Sequence, residues 1–421
     1  MDSVLTQMQE RLPPEVIALL RAAADVAQQQ GQQVYLVGGA VRDLLLGYPN
    51  LDFDLVVEGD APRLAQQLGQ AVGAEVVVHD KFGTASLQRE ALCIDLATAR
   101  SETYSRPGAL PDVTPALIQD DLFRRDFSMN AMAVDLSAAS FGRLIDPFHG
   151  RADMERGLVR VLHDRSFIDD ATRILRALRY EQRFGFRLEE ATEKLLRRDV
   201  SMLDTISGDR IRHELELDLK EDRPELVMGR AGELGVLSAL HPSLTSDGWL
   251  ADRFEQARQQ GLQAPDVYLL LLIYRLSDKD NEQVVTRLNP PGELARHMRQ
   301  VPKLRKDLDR LTEHDLAPSA ICRLLAPFSS SAIIAAMLGT DTPVVRSRLK
   351  LYLDKLRYVK PCLDGEDLKR LGVAQGPLVG KMLRRLHDAR LDGIATTRET
   401  EESLVRQWLE QDCGERIGGY M

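Results

Sequence analysis

The sequence predicts an α+β protein, with a head that mixes strands and helices over residues 1 to about 150 and only helices beyond it. Three observations predict this. Short apolar runs rich in Val and Ile alternate with helix-period stretches in the first 150 residues alone. After about residue 160, apolar residues recur at helical spacing with few β-branched clusters. A length of 421 residues also exceeds what one core supports, so two to four domains are expected.

The elements of the head follow in order. "QVYLVGG" (33–39) reads as a strand, "AVRDLLLG" (40–47) as a helix closed by Gly47, and "LDFDLVVEG" (51–59) as a strand ended by glycine. "APRLAQQLGQAV" (61–72) is an amphipathic helix, and "EVVVHD" (75–80), "TASLQ" (84–88) and "LCIDLAT" (92–98) are strands. Three prolines and a glycine in "ETYSRPGALPDVTP" (102–115) predict a mobile loop. The chain has no internal repeat.

Composition narrows the function classes. Apolar residues at 44% and charged residues at 28% are ordinary for a globular chain, and no apolar stretch approaches a membrane span. The first residues carry no basic, apolar leader pattern, so no membrane association and a cytoplasmic location are expected. Cys93, Cys322, Cys362 and Cys413 are scattered, which speaks against zinc and against a disulfide framework. A net charge of -9 disfavours indiscriminate nucleic-acid binding, yet residues 346–390 hold 12 Lys/Arg against 5 Asp/Glu, a local +7 on helical segments.

The chemistry gathers at Asp52 and Asp54. Residues i and i+2 of a strand face the same way, so these carboxylates project together while Phe53 and Leu55 turn to the opposite, buried face. Like charges so close need a cation between them, and oxygen ligands without sulfur or imidazole favour Mg²⁺. Asp95 supplies a third carboxylate if its strand lies alongside. Upstream, Gly38 and Gly39 fall between a strand and a helix start, where bare N–H groups and the helix dipole favour anions, with Arg42 one turn on. A D-x-D pair or a Gly-Gly turn alone is weak evidence. Their spacing is stronger, since a triphosphate over the glycines presents its phosphorus to metals on the aspartates.

"VGGAVRDLLLG" followed by "LDFDLVVEG" resembles the active-site signature of the class II tRNA nucleotidyltransferase and poly(A) polymerase family, within the DNA polymerase beta superfamily. "DLFRRDFSMNAMA" (121–133) is similar to its RRDF-x-x-NA segment, and "DDATRILRALRYEQRF" (169–184) to its nucleotide-selecting helix. "ISGDRIRHEL" (206–215) resembles the helix-capping segment that follows, and "LGVAQGPLVGKMLRRLHDARLDG" (371–393) its C-terminal GP-x-x-G segment. The resemblance implies a palm-like nucleotidyltransferase head with a mixed β-sheet (1–150), a neck that selects the nucleotide (151–215), a helical body (216–330) and a tRNA-binding tail (331–421). It implies Asp52 and Asp54 as catalytic metal ligands, with Asp95 matched only by strand context. It places Gly38, Gly39 and Arg42 at the triphosphate, and Arg125, Asp126 and Asn130 near the nucleotide. Asp169-Asp170 stands where the family usually has Glu-Asp.

Asp170 and Arg173, three apart, are expected on one helix face, where they read a Watson–Crick edge together. The carboxylate takes the amino donor of cytosine or adenine and the guanidinium serves the ring acceptors. Uracil and guanine leave the carboxylate facing a carbonyl. Arg176 and Arg179 continue the stripe toward phosphates of substrate or tRNA, and Asp126 is a candidate partner of the ribose 2′-hydroxyl. A solvated helix face is the alternative for all of these.

The resemblance implies transfer from CTP and ATP to the 3′ end of tRNA, with acceptor end and elbow both held. The basic G-R-R-F-like run of bacterial poly(A) polymerases is absent. The loop at 102–115, which enzymes adding only cytidines tend to lack, suggests that the terminal adenosine can be added. Complete CCA addition is favoured, and addition of the terminal AMP alone stays open because residues 160–186 resemble that branch. A non-catalytic RNA-binding protein and a small-molecule nucleotidyltransferase are the readings from other classes. The intact carboxylates disfavour the first, and the long helical body the second.

Overall fold

The computed structural model describes residues 3–49, 52–79, 83–90 and 92–418, with side chains through residue 411. The chain divides into two compact units, the first ending at Leu240 and the second starting at His241.

In the first unit, α1 (Leu5–Arg11) and α2 (Pro14–Gln29) precede the sheet, and α2 buries Val16, Leu19, Leu20, Ala23 and Ala27 along one stripe. Then come β1 (Gln33–Val37), α3 (Gly39–Leu46), β2 (Asp52–Glu58), α4 (Ala61–Val72), β3 (Glu75–His79), β4 (Thr84–Arg89) and β5 (Leu92–Thr98). Local chemistry sets these boundaries. Gly47 and Gly73 end α3 and α4 in the left-handed conformation, and Asp60 caps α4 by accepting from the Arg63 N–H.

Next are β6 (Arg100–Thr103), β7 (Asp112–Pro115), α5 (Ile118–Phe123), β8 (Ala133–Asp135) and β9 (Arg143–Ile145). Seven strands form one mixed sheet in the order β3-β4-β5-β2-β1-β8-β9. β2 runs parallel to β5 and antiparallel to β1, so it lies well inside the sheet. Tyr35, Val37, Val56, Ile118, Leu122 and Ala133 pack together on the face of the sheet that also carries Asp52 and Asp54, further along β2.

The segment 102–115 departs from the expected loop. Its flanks pair as a separate hairpin, Arg100 opposite Pro115 through Thr103 opposite Asp112, which leaves a connection of 104–111. The β-branched Thr103, Val113 and Thr114 favour strand, and Pro111 and Pro115 fall just before and at the end of β7, where a missing donor costs little.

The rest of this unit is mainly helical: α6 (Gly150–Glu155), α7 (Ser166–Asp169), α8 (Thr172–Phe184), α9 (Glu190–Asp199), α10 (Gly208–Asp218), α11 (Pro224–Glu233) and α12 (Val236–Leu240). Two-residue strands β10 (Leu158–Val159) and β11 (Arg187–Leu188) pair in parallel across α7 and α8.

The second unit is helical from α13 (Gly248–Gln259) to α22 (Arg398–Gly418). Its last part closes over Leu363, Leu368, Met382, Leu386, Val405 and Trp408. No single helix among the described residues is long and apolar enough to cross a membrane. Cys93 and Cys362 are exposed free thiols and Cys322 a buried one.

Candidate active site

The strand periodicity delivers the acidic cluster. Phe53 and Leu55 are each 1% exposed beneath the sheet, and Asp52 and Asp54 stand on the open face. The parallel register sets Asp54 beside Asp95, and one carboxylate oxygen from each of Asp52, Asp54 and Asp95 lies within 4.8 Å of the others. Burial low in the cleft and the neighbouring Asp52 push the Asp54 carboxyl up to about 6, with Asp95 adding to the rise and Arg125 opposing it. An all-carboxylate donor set under that much mutual repulsion fits a hard divalent cation. Ser86, opposite Asp95 across β4 and β5, donates to it at 2.5 Å.

β1 ends at the glycine turn. Gly38 precedes α3 with φ +68°, and a Cβ there would lie 2.7 Å from Arg125 Nη1 and 3.9 Å from Asp54 Oδ2. Only glycine permits both the dihedral and the close approach. This turn, Asp52 and Asp54 share a cleft of about 770 Å³ with Arg42, Arg125, Asp126, Asn130, Asp170, Arg173 and Arg176, which gathers most of the expected residues. An adjoining hollow of about 490 Å³ shares Asp54, Arg124 and Arg125 and carries Asp95 and Ser86. A recess of about 600 Å³ near β11 and α9 offers charges already matched, such as Lys194 with Glu190, and has no comparable cluster.

The wall of the cleft is a relay of alternating charge. Arg42 donates to Asp43 through two nitrogens and to Asn130 Oδ1, and its guanidinium lies over the rings of Tyr180 and Phe184. Asn130 donates in turn to Asp126 Oδ1 at 2.9 Å. Asp126 Oδ1 also accepts from the Phe127 N–H, and Oδ2 accepts from Arg176 Nε and Nη2 at 2.8 and 2.7 Å. Burial alone would raise Asp126; Arg176 and Asn130 hold it below the ordinary value.

Three expectations are corrected here. Asp126 already receives two donors on each oxygen, so its lone pairs are committed within the protein and not to a ribose hydroxyl. Arg179 is 3% exposed and pairs with Glu214 and Asp218 of α10, so it joins helices and does not reach phosphate. Asp170 and Arg173 do not share a helix face. Asp170 is extended just ahead of α8 and its Oδ1 accepts from the Thr172 N–H and hydroxyl, because an Asp before a helix gains more by bonding its first turn than by entering it.

The pair still converges on the cleft. Asp170 Oδ1 also accepts from Arg210 at 2.7 Å, and Arg173 donates to Ser166 Oγ at 2.8 Å and to the Arg124 carbonyl at 2.6 Å. Arg210, Arg124, Glu102 and Tyr104 are cleft residues that sequence reasoning missed. Arg124 lies inside the RRDF segment and Arg210 inside "ISGDRIRHEL", so a signal was present for both. Glu102 and Tyr104 lie in the segment read as a mobile loop and left none.

Residues 34–160 match the family described as Poly A polymerase head domain, and 185–247 that described as Probable RNA and SrmB- binding site of polymerase A. An A-adding tRNA nucleotidyltransferase of Halalkalibacterium halodurans is 33% identical over 97% of this chain and 96% of its own length. The chain belongs to the tRNA nucleotidyltransferase and poly(A) polymerase family. An A-adding enzyme of Geobacter sulfurreducens is 36% identical over 96% of this chain, which spans about half, 48%, of that longer relative. A CCA-adding enzyme in an apo form superposes with a TM-score of 0.83 at 34% identity, covering 98% of this chain and 99% of the other. This family of nucleotidyltransferases is metal-dependent, in keeping with the acidic triad.

Proposed function

We propose that this protein transfers AMP from ATP to the 3′ end of tRNA ending in CC. The observation that carries the reading is the triad of Asp52, Asp54 and Asp95 on the open face of the sheet, beside a glycine turn and inside one cleft with Asp170 and Arg173. The tRNA 3′-hydroxyl attacks the α-phosphorus of ATP in line; the new P–O bond forms as the α–β P–O bond breaks, the hydroxyl gives up its proton to solvent, and pyrophosphate leaves.

Asp52 and Asp54, with Asp95 beside them, would hold Mg²⁺, which would supply charge neutralisation at the phosphates. Gly38, Gly39 and Arg125 cradle the triphosphate. Arg42, Asn130, Asp126 and Arg176 form the wall that keeps those groups in place. Asp170 offers its carboxylate to the adenine amino group and Arg173 its guanidinium to the ring nitrogen beside it, so the protein itself serves as template. Arg210 and Thr172 hold Asp170 Oδ1 and orient the carboxylate.

Relatives of Halalkalibacterium halodurans and Geobacter sulfurreducens named A-adding support AMP as the nucleotide added. Complete CCA addition is the second reading, supported by the likeness to solved CCA-adding enzymes, one of them complexed with CTP. In either case the head, neck, body and tail divide near residues 150, 215 and 330, the tail carries the tRNA elbow, and the enzyme works in the cytoplasm. The test is to offer tRNAs ending before the first C, after one C and after two Cs to ATP and CTP separately and to size the products. AMP addition only to the last acceptor supports the proposal. Extension of shorter acceptors with CTP selects complete CCA addition, and no extension of any acceptor overturns both.

A further inference from the structure

On the metal-dependent reading proposed above, on which this inference rests, an arginine and a metal-binding carboxylate sit side by side without neutralising each other. Arg125 lies close enough to Asp54 to oppose the rise of its carboxyl. Arg125 Nη1 and Asp54 Oδ2 also face the same Gly38 turn, 2.7 and 3.9 Å from where a Cβ on that glycine would lie. A guanidinium so placed would ordinarily close onto the carboxylate as a two-pronged ion pair and occupy the oxygens a cation needs. Among the described residues, no ion pair joins Arg125 to Asp54, and Arg125 pairs instead with Asp121.

Asp121 is wholly buried on α5. Its Oδ2 accepts from Arg125 Nη2 at 2.9 Å and Nε at 3.3 Å, and its Oδ1 from Arg124 Nε at 2.9 Å and Nη2 at 2.8 Å. Burial would raise its carboxyl, and the two guanidiniums hold it below the ordinary value. Arg124 is tied on its far side to Glu102, so it does not release Asp121 to a competing partner. The grip takes the Nε edge of Arg125 and leaves Nη1 facing the glycine turn, where the triphosphate is proposed to lie.

We propose that Asp121 is a positioning residue that holds Arg125 back from Asp54, keeping the carboxylates open to the divalent cation while presenting Nη1 to the nucleotide phosphates. A merely structural Asp121 would contribute stability and leave metal affinity alone. An Asp121 that restrains Arg125 controls metal affinity through that one side chain.

The experiment is titration of the full chain with Mn²⁺, read by electron paramagnetic resonance without nucleotide or tRNA, with circular dichroism as the check on folding. Asp121→Asn is expected to weaken Mn²⁺ binding about tenfold, in the range typical for loss of a group that orients a metal ligand. Asp121→Asn combined with Arg125→Gln is expected to restore the parent affinity, because nothing remains to invade the site. Asp121→Asn binding as tightly as the parent, or a double variant as weak as the single one, overturns the proposal. If Asp121→Asn does not fold, Arg125→Gln alone decides: affinity equal to or above the parent's supports restraint, and lower affinity overturns it. A parent protein that binds no Mn²⁺ refutes the metal-dependent reading itself, which separates that failure from this one.

Discussion

Two regions of the first unit hold buried or crowded carboxylates and treat them in opposite ways. On the strands, Asp52, Asp54 and Asp95 are pressed within 4.8 Å of one another, and the Asp54 carboxyl rises to about 6. Along α8, Asp126 receives Arg176, and Glu214 and Asp218 receive Arg179. The difference separates a site from a scaffold. Acid matched to arginine spends its charge on holding elements together, while acid stacked against acid stores repulsion that a cation relieves.

The largest effect is expected where repulsion is stored. Asp54→Asn should lower kcat for nucleotidyl transfer by about 1,000-fold, the scale on which a preorganised electrostatic group counts in catalysis, with circular dichroism unchanged. Near-normal turnover would mean the crowded acids are not the reaction centre. The converse holds at α8. Arg179→Met should cost about 3–5 kcal/mol in urea unfolding, because Asp218 would stay buried without its cation and Glu214 would keep only Arg176, at 3.8 Å. Asp218 is the exception among these matched acids: burial, with Glu214 adding to it, pushes its carboxyl well above the ordinary value even against the pull of Arg179, so loss of Arg179 would favour its protonation further.

Base reading should respond next. Asp170→Asn replaces a pure acceptor with a group that also donates, so incorporation of UTP or GTP relative to ATP should rise roughly 10- to 100-fold in single-nucleotide extension. Unchanged selectivity would remove Asp170 from the template role. The second unit extends the comparison to cations. Arg346 and Arg348 are used on backbone carbonyls and Arg390 on Glu401, whereas Lys381 and Arg384 stay exposed, as does Arg385, whose guanidinium lies over the Trp408 ring. Changing those three to Gln should flatten the dependence of log Kd for tRNA on log salt by about one unit for each phosphate no longer neutralised, and the same test on Arg348 should not.

Alternation made the Asp52 and Asp54 pair legible, since Asp52, Phe53, Asp54 and Leu55 can sort only one way on a strand; Asp95 depended on which strand lies beside β2, and the glycine turn announced itself by its place between strand and helix. The i, i+3 spacing of Arg173, Arg176 and Arg179 showed that a stripe exists but not what covers it. Arg179 is buried because α10 brings Glu214 and Asp218 against it, from 35 and 39 residues away in sequence. Asp121 escaped notice for the same reason. Its i+3 and i+4 arginines could have been a surface pattern, and only the full burial of Asp121 itself makes it a clamp.

The smallest effect is the sharpest discriminator between stored repulsion and matched charge. A carboxyl raised from 3.8 to about 6 in the folded protein means that the folded state binds a proton more readily than the unfolded chain does. The sign follows from linkage: ionisation of Asp54 costs the folded protein stability as pH rises from about 4 to about 6, and the cost persists above that window. After discounting for solvent at this partly exposed group, the cost is about 1 kcal/mol at pH 7. In the presence of a chelator, Asp54→Asn should therefore be more stable than the parent at pH 7 by about that amount, with the gap closing toward pH 4. Added Mg²⁺ should stabilise the parent and not the variant, which inverts the order. An Asp54→Asn protein less stable than the parent at pH 7 under chelation would place Asp54 among the matched acids and dissolve the contrast between the two regions.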